Sequence, residues 1–388
     1  MLGNPYTPGA GCTPSVLAGR EPVLNAAQIA LTRLKEGYPQ RSVLYYGLRG
    51  VGKTALLNVI EEYADNQGIK YAHIEAMEDR LFMRRLIAYL TQFVRSLSLL
   101  EEAKALKERV IRLLASFVVV YKFNDNSVGL SISPDEAIST GVLSDDLTEI
   151  FVSLGKLSKE CNEAISIFID EFQFLEKTYV QAIVAAIHRC NQLRLPVLLW
   201  CAGLPKAMDV LSKACSYTER MFDFIPIDKL KTDESAFVVT ETAEPFGVTY
   251  STDATNEIVE TTGGYPYFIQ EYCSVIWDNL PDGTQLITHK DVIEAKELFY
   301  EKLDSGFFEA RFSRCSHSEQ VFLTAMNSCK ELPCQVSEVA AKCGKTVQQV
   351  SPIRATLIDK GIIYAPQRGE VDFTVPLFDQ YLQRVIQE

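Results

Sequence analysis

No pair of cysteines in this chain is separated by two residues. The ten cysteines are scattered, and the nearest two, Cys329 and Cys334, have no histidine pair at zinc-finger spacing; only four histidines occur in 388 residues. Reduced packing thiols are therefore expected instead of a zinc site or a disulfide framework. Long apolar runs are missing too. The longest, near Val110 to Tyr121, is broken by Arg112 and falls short of the roughly 20 residues a bilayer demands, so no membrane span is expected. The opening Met1-Leu2-Gly3-Asn4-Pro5 has neither the basic start nor the apolar core of a secretory signal, which gives a cytoplasmic expectation. Positive charge is in deficit, 38 basic against 50 acidic residues for a net −12, and this argues against coating nucleic acid by bulk electrostatics. Internal repeats and low-complexity tracts are absent as well. What is present is a 47% apolar composition, enough for a large core divided among two to three domains.

The apolar stretch Val43-Leu44-Tyr45-Tyr46 runs into Gly47-Leu48-Arg49-Gly50-Val51-Gly52-Lys53-Thr54, after which Ala55-Leu56-Leu57-Asn58-Val59-Ile60 opens a helix. Strand, glycine loop and helix in this order form a complete P-loop. Gly47, Gly50 and Gly52 let backbone N–H groups turn inward around phosphates, Lys53 reaches the β- and γ-phosphates, and the Thr54 hydroxyl serves Mg²⁺. The helix beginning at Ala55 points its positive end at the same phosphates. No Asn-Lys-x-Asp guanine motif occurs, so ATP is the expected nucleotide.

Before the P-loop, Ala27, Ile29, Leu31 and Leu34 follow Gly19-Arg20-Glu21-Pro22 at helical spacing. Lys70 to Glu75 reads as a second strand. Leu86, Ile87, Leu90, Phe93 and Val94, then Leu106, Val110, Leu113 and Leu114, mark two amphipathic helices. Val118 to Phe123, a turn over Asn124 to Ser127, and Val128 to Ile132 read as an inserted hairpin, about residues 117–133, which is either a plain surface hairpin or a partner contact. Ala164 to Ile169 and Leu195 to Cys201 are short continuous apolar runs suited to parallel strands covered on both faces. Helical texture follows through Thr252 to Val259, Tyr267 to Trp277 and Lys290 to Tyr300, and changes again near Phe312. The expected division is an α/β base over 1–226, a helical lid over 227–311 and a tail domain over 312–388. Eight of the basic and eight of the acidic residues lie from Phe312 onward, so the tail is neutral and any nucleic-acid contact there needs a local patch.

The run ending at Ile169 is followed by Asp170-Glu171-Phe172-Gln173. This places acids at the carboxyl edge of a strand, where open α/β sheets bind ligands. Asp170 is a candidate holder of Mg²⁺ together with Thr54, and Glu171 a candidate base for an attacking water. With Ala202-Gly203-Leu204-Pro205 after the fourth strand, Gly263-Gly264-Tyr265-Pro266 in the lid and Ile287 to Val292 beyond it, the chain resembles the AAA+ ATPases. Within them it is most similar to bacterial proteins related to archaeal origin-recognition initiators. The resemblance implies a P-loop NTPase three-layer sandwich with a mainly parallel sheet, followed by a helical lid domain. It also implies an adenine pocket lined by Gly19, Arg20, Tyr265 and Pro266, although Arg20 reads equally as a surface residue beside a turn. Arg220, within Ser216 to Phe222, stands where the family often keeps an arginine finger for a neighbouring subunit's site, which would require self-association; a helix-surface arginine paired with Glu219 is the other reading.

Two departures bear on turnover. Trp200-Cys201-Ala202-Gly203 lacks the asparagine or threonine that helps position water, with Gln173 as a candidate stand-in, and Tyr265-Pro266 replaces a sensor arginine in a signature also similar to STAND signalling ATPases. Both imply slow hydrolysis and a nucleotide-driven switch. In the tail, Val336 to Gly344, then Lys345-Thr346 and a second helix to Lys360, then Gly361 to Tyr364, a turn at Gln367-Arg368-Gly369 and Val371 to Val375 resemble a winged helix-turn-helix. Lys345, Gln348, Gln349, Ser351 and Arg354, with Arg368 on the wing, are the candidate contacts to duplex DNA, and a protein-binding role for such a module stays open.

Overall fold

The computed structural model describes residues 3–9, 11–77, 81–97, 103–121 and 138–387. The chain forms two compact units, one of residues 20–46 and 56–226, the other of residues 1–19, 47–55 and 227–388.

The first unit is built on a five-stranded parallel sheet of β1 (Ser42–Tyr46), β2 (Lys70–Glu75), β3 (Ile165–Asp170), β4 (Val197–Gly203) and β5 (Phe222–Pro226), in the order β2-β3-β4-β1-β5. Every residue of β3 and β4 is buried, as expected of central parallel strands with both faces covered. Register fixes one face as an aromatic ladder. Phe168 on β3 stacks on Trp200 on β4 at 6.0 Å, and Trp200 on Tyr45 of β1 at 6.4 Å. Helix α1 (Glu21–Lys35) precedes β1, and the strands are joined by α2 (Lys53–Asn66), α3 (Phe82–Ser96), α4 (Lys104–Val120), α5 (Leu143–Glu160), α6 (Lys177–Gln192), α7 (Lys206–Ala214) and the single turn α8 (Thr218–Met221). Helix α1 buries Ala27, Leu31 and Leu34 and exposes Ile29. The expected hairpin is corrected at its start: residues 118–120 are the last turn of α4, which buries Val110, Leu113, Leu114, Phe117 and Val118 on one face. The remainder of that hairpin, from Lys122 on, lies outside the described residues.

The second unit is helical apart from short strands. Helices α9 (Thr232–Ala243), α10 (Thr252–Thr262), α11 (Pro266–Asp278) and α12 (His289–Lys302) form its first part, with β6 (Thr249–Tyr250) paired to β7 (Leu286–Ile287). A short α13 (Glu309–Phe312) leads to α14 (His317–Asn327), β8 (Cys334–Gln335), α15 (Val336–Lys342), α16 (Val347–Asp359), β9 (Ile363–Tyr364), β10 (Glu370–Phe373) and α17 (Phe378–Gln387). The last three strands make an antiparallel sheet in the order β8-β10-β9. One hydrophobic core runs through the unit from Phe268, Tyr272 and Phe299 to Phe308, Phe378 and Tyr381. It crosses the division expected at 311/312, with Phe308 stacked on Tyr381 at 5.3 Å. Among the described residues, no helix is long and apolar enough to cross a membrane.

Candidate functional site

The loop between β1 and α2 is shaped by its glycines. A Cβ on Gly47 would lie 2.0 Å from the carbonyl oxygen of Ile227, so only hydrogen fits there. Gly50 and Gly52 adopt φ of +79° and +88°, the left-handed region that glycine enters without steric cost. Two neighbours hold the loop backbone: the Tyr267 N–H donates to the Gly50 carbonyl at 3.1 Å, and the Arg49 N–H donates to the Thr374 carbonyl at 3.1 Å. The Lys53 ammonium donates to the carbonyls of Gly47 at 3.0 Å and Leu48 at 2.8 Å. Lys53, Thr54 and Ala55 form the first turn of α2, which carries no acidic residue. The N–H groups and positive dipole end of that turn are suited to phosphate.

In the sheet unit, β3 ends at Asp170, only 5% exposed. Glu171 follows in a left-handed conformation, φ 51° and ψ 38°, which is rare for a residue with a side chain. That turn lets the Glu171 N–H donate to Asp170 Oδ1 at 2.7 Å. The Gln173 amide nitrogen donates to Glu171 Oε2, and Gln173 Oε1 accepts the Leu204 N–H at 2.9 Å. On β2, His73 is bonded to Glu61 of α2. Burial pulls its pKa down, yet the Glu61 bond and the charges of Glu61, Asp170 and Glu75 hold it above the ordinary value. The carboxylate of Asp170 is a hard oxygen donor of the kind Mg²⁺ takes, an ion that keeps much of its water and needs few protein ligands. Among the described residues, no group of three or more His, Cys, Asp or Glu forms a fuller metal cage.

The turn before α11 places Tyr265 at the head of that helix with Pro266 as its first residue. The Tyr265 hydroxyl is pushed up to about 12 by burial first and then by Asp228 and Asp372. Gly264, at φ +79°, accepts the Leu230 N–H at 2.8 Å, and a Cβ there would come 2.5 Å from the Leu230 oxygen. Gly19, at φ +67°, lies against Glu234, and Arg20 is buried at the head of α1.

Residues 16–200 match the family model described as AAA ATPase domain. That match spans a little under half of the chain. Residues 305–382 match a second model, described as a domain of unknown function (DUF8462). Among solved structures, the Walker-type ATPase PABY2304 of Pyrococcus abyssi is similar over 95% of this chain and 96% of its own, with a TM-score of 0.59 at 16% identity. The Thermotoga maritima RuvB Holliday junction branch migration motor aligns over 96% and 99%, with 0.49 at 16% identity. The Aeropyrum pernix Orc1 protein, solved in complex with DNA, aligns over 96% and 94%, with 0.46 at 17% identity. No curated protein matches the chain. The likeness to the Pyrococcus ATPase bears on fold alone, and that fold is the α/β P-loop NTPase fold.

Within the sheet unit, β1 and β3 run in the same direction and end on the same edge, at Tyr46 and Asp170. Arg220 lies elsewhere. It is exposed on α8, just before β5, and lines a cleft of about 590 Å³ with Pro39, Arg41, His188 and Tyr217 at the amino edge of the sheet. In the tail, Lys345, Gln348 and Gln349 are exposed at the start of α16, and Arg368 is exposed in the turn between β9 and β10. Gln349 also closes the cap of α16, its side-chain oxygen accepting the Thr346 N–H at 2.9 Å. Arg354 is half-buried against β10, donating to the Glu370 carbonyl at 3.4 Å, and the Ser351 hydroxyl donates to Val347 within the helix. Sequence reasoning missed the Thr374 and Tyr267 contacts to the P-loop, which run through backbone atoms, and the His73–Glu61 pair. A histidine on the edge strand β2 facing a helix glutamate was the one signal available for that pair.

Proposed function

We propose that this chain is an ATP-binding, slowly hydrolysing switch whose tail is a winged helix that engages duplex DNA. The observation that carries the nucleotide reading is the P-loop itself: positive φ at Gly50 and Gly52, no room for a side chain at Gly47, and the first turn of α2 behind it. On this reading the loop N–H groups and the head of α2 bind the triphosphate, and Lys53 moves from the Gly47 and Leu48 carbonyls to the β- and γ-phosphates. Thr54 and Asp170 would hold Mg²⁺, which supplies charge neutralisation across the phosphate oxygens. Glu171 takes a proton from water as the water oxygen bonds to the γ-phosphorus and the bond to the bridging oxygen breaks, leaving ADP and phosphate. Gly19, Arg20, Tyr265 and Pro266 would border adenine. The position of Arg220 at the amino edge of the sheet supports a role only toward a neighbouring copy, so a finger role would require self-association.

The tail supports DNA through its element order and through Lys345, Gln348 and Arg368. A second reading, a STAND-type signalling ATPase whose tail grips a protein, is favoured by the attachment of Arg354 to β10 and the use of Gln349 in the α16 cap. Isothermal calorimetry with Mg-ATP tests the nucleotide reading: binding in the wild type, lost in Lys53→Ala, and retained in Glu171→Gln without turnover. Absence of heat in the wild type would sink it.

A further inference from the structure

We infer that Gln173 is the positioning residue of Glu171, a carboxamide clamp that takes the place of a polar side chain at the end of β4. The inference rests on the reading of Glu171 as the base.

Two features of the sheet unit carry it. First, both ends of the Gln173 amide are used. Its nitrogen donates to Glu171 Oε2 and its oxygen accepts the Leu204 N–H, while the side chain is 5% exposed. A buried amide bonded at both ends has little rotational freedom, so the carboxylate it touches is held as well. Second, the end of β4 is glycine for a visible reason. A Cβ on Gly203 would lie 2.6 Å from Gln173 Oε1 and 2.8 Å from the Ala207 Cβ. The volume that a side chain at position 203 would fill is occupied by the carboxamide arriving from the turn after β3. The left-handed turn at Glu171 brings residues 171 and 173 to one side, where the bond between them closes. Gln173 thus ties the base to the backbone after β4 instead of reaching for water on its own.

Steady-state ATP hydrolysis and calorimetry on the full chain test this. Gln173→Ala is expected to lower kcat about tenfold to a hundredfold, with KM and nucleotide affinity unchanged. Gln173→Glu keeps an acceptor for Leu204 but sets a carboxylate against Glu171, and is expected to lose at least as much kcat; a purely structural role predicts the milder loss in this variant. In a Glu171→Gln background, removing Gln173 is expected to cost nothing further. Should Gln173→Ala not fold, Gly203→Ala displaces the carboxamide from outside and is expected to lower kcat in the same way. An active wild type with a dead Glu171→Gln and an unaffected Gln173→Ala overturns this inference alone, as does a further loss in the double variant. A Glu171→Gln variant that turns over normally, or an inactive wild type, overturns the reading of Glu171 and this inference with it.

Discussion

A methyl group at position 47 would sit 2.0 Å from the Ile227 oxygen, a distance at which backbone must move because neither partner is a flexible side chain. Gly47→Ala is therefore expected to displace the start of the P-loop, where Lys53 donates to the Gly47 carbonyl, and to cost on the order of 1–3 kcal/mol of stability by overpacking. Calorimetric affinity for Mg-ATP should fall at least tenfold, and an unchanged affinity in a folded variant would show that residue 47 does not shape the phosphate cradle. At this scale the sequence was highly legible. The glycine positions that the spacing marked are those where the loop turns left-handed, at Gly50 and Gly52, or leaves no room for a Cβ, at Gly47. The restraints on Arg49 and Gly50 were not legible, since any residue except proline at Arg49 could donate the N–H that Thr374 accepts.

Helices and strands were legible where one period dominated. The short apolar runs of β3 and β4 suited buried strands, which they form, and the 3.6-residue spacing of α3 left Leu86, Ile87, Leu90 and Val94 buried as the pattern required. Residues 118–120 misled because three consecutive valines favour extended backbone on propensity, whereas packing of Leu114, Phe117 and Val118 in the core continues the helix. Helix α14 supplies a test at this scale. Glu319 closes the Ser316 capping box, accepts Lys360 Nζ at 2.7 Å and is 4% exposed. Burial raises its pKa, but the Lys360 and Ser316 bonds prevail and hold it below the ordinary glutamate value. A carboxylate with a depressed folded pKa stabilises the fold above its unfolded pKa and loses that contribution as pH falls through the folded value. Glu319→Gln is expected to cost about 1–2 kcal/mol near neutral pH. The difference in thermal midpoint between wild type and variant should shrink steadily as pH falls below about 4; a difference independent of pH would exclude the ion pair as its source.

For the molecule as a whole, charge limits what the tail can do. The net −12 is carried by residues 1–311, and the tail is neutral, so no long-range field draws a duplex in. Binding has to come from a local patch. Arg354 faces β10 and Lys360 is paired with Glu319, which leaves Lys345 and Arg368 as the exposed cations among the proposed contacts. Each phosphate neutralised contributes about −0.9 to the slope of log K against log salt. Two cations, with at most one further phosphate contact, give a slope between about −2 and −3. Fluorescence anisotropy of a labelled duplex titrated at several salt concentrations should return that shallow slope, with Lys345→Ala reducing its magnitude by about 1. A slope several units steeper would require a basic surface outside the tail residues named. No binding at low salt, with or without ATP, would assign the tail to a protein partner, because a neutral helix face with exposed Gln348 and Val347 can still pack against protein where it cannot hold phosphate.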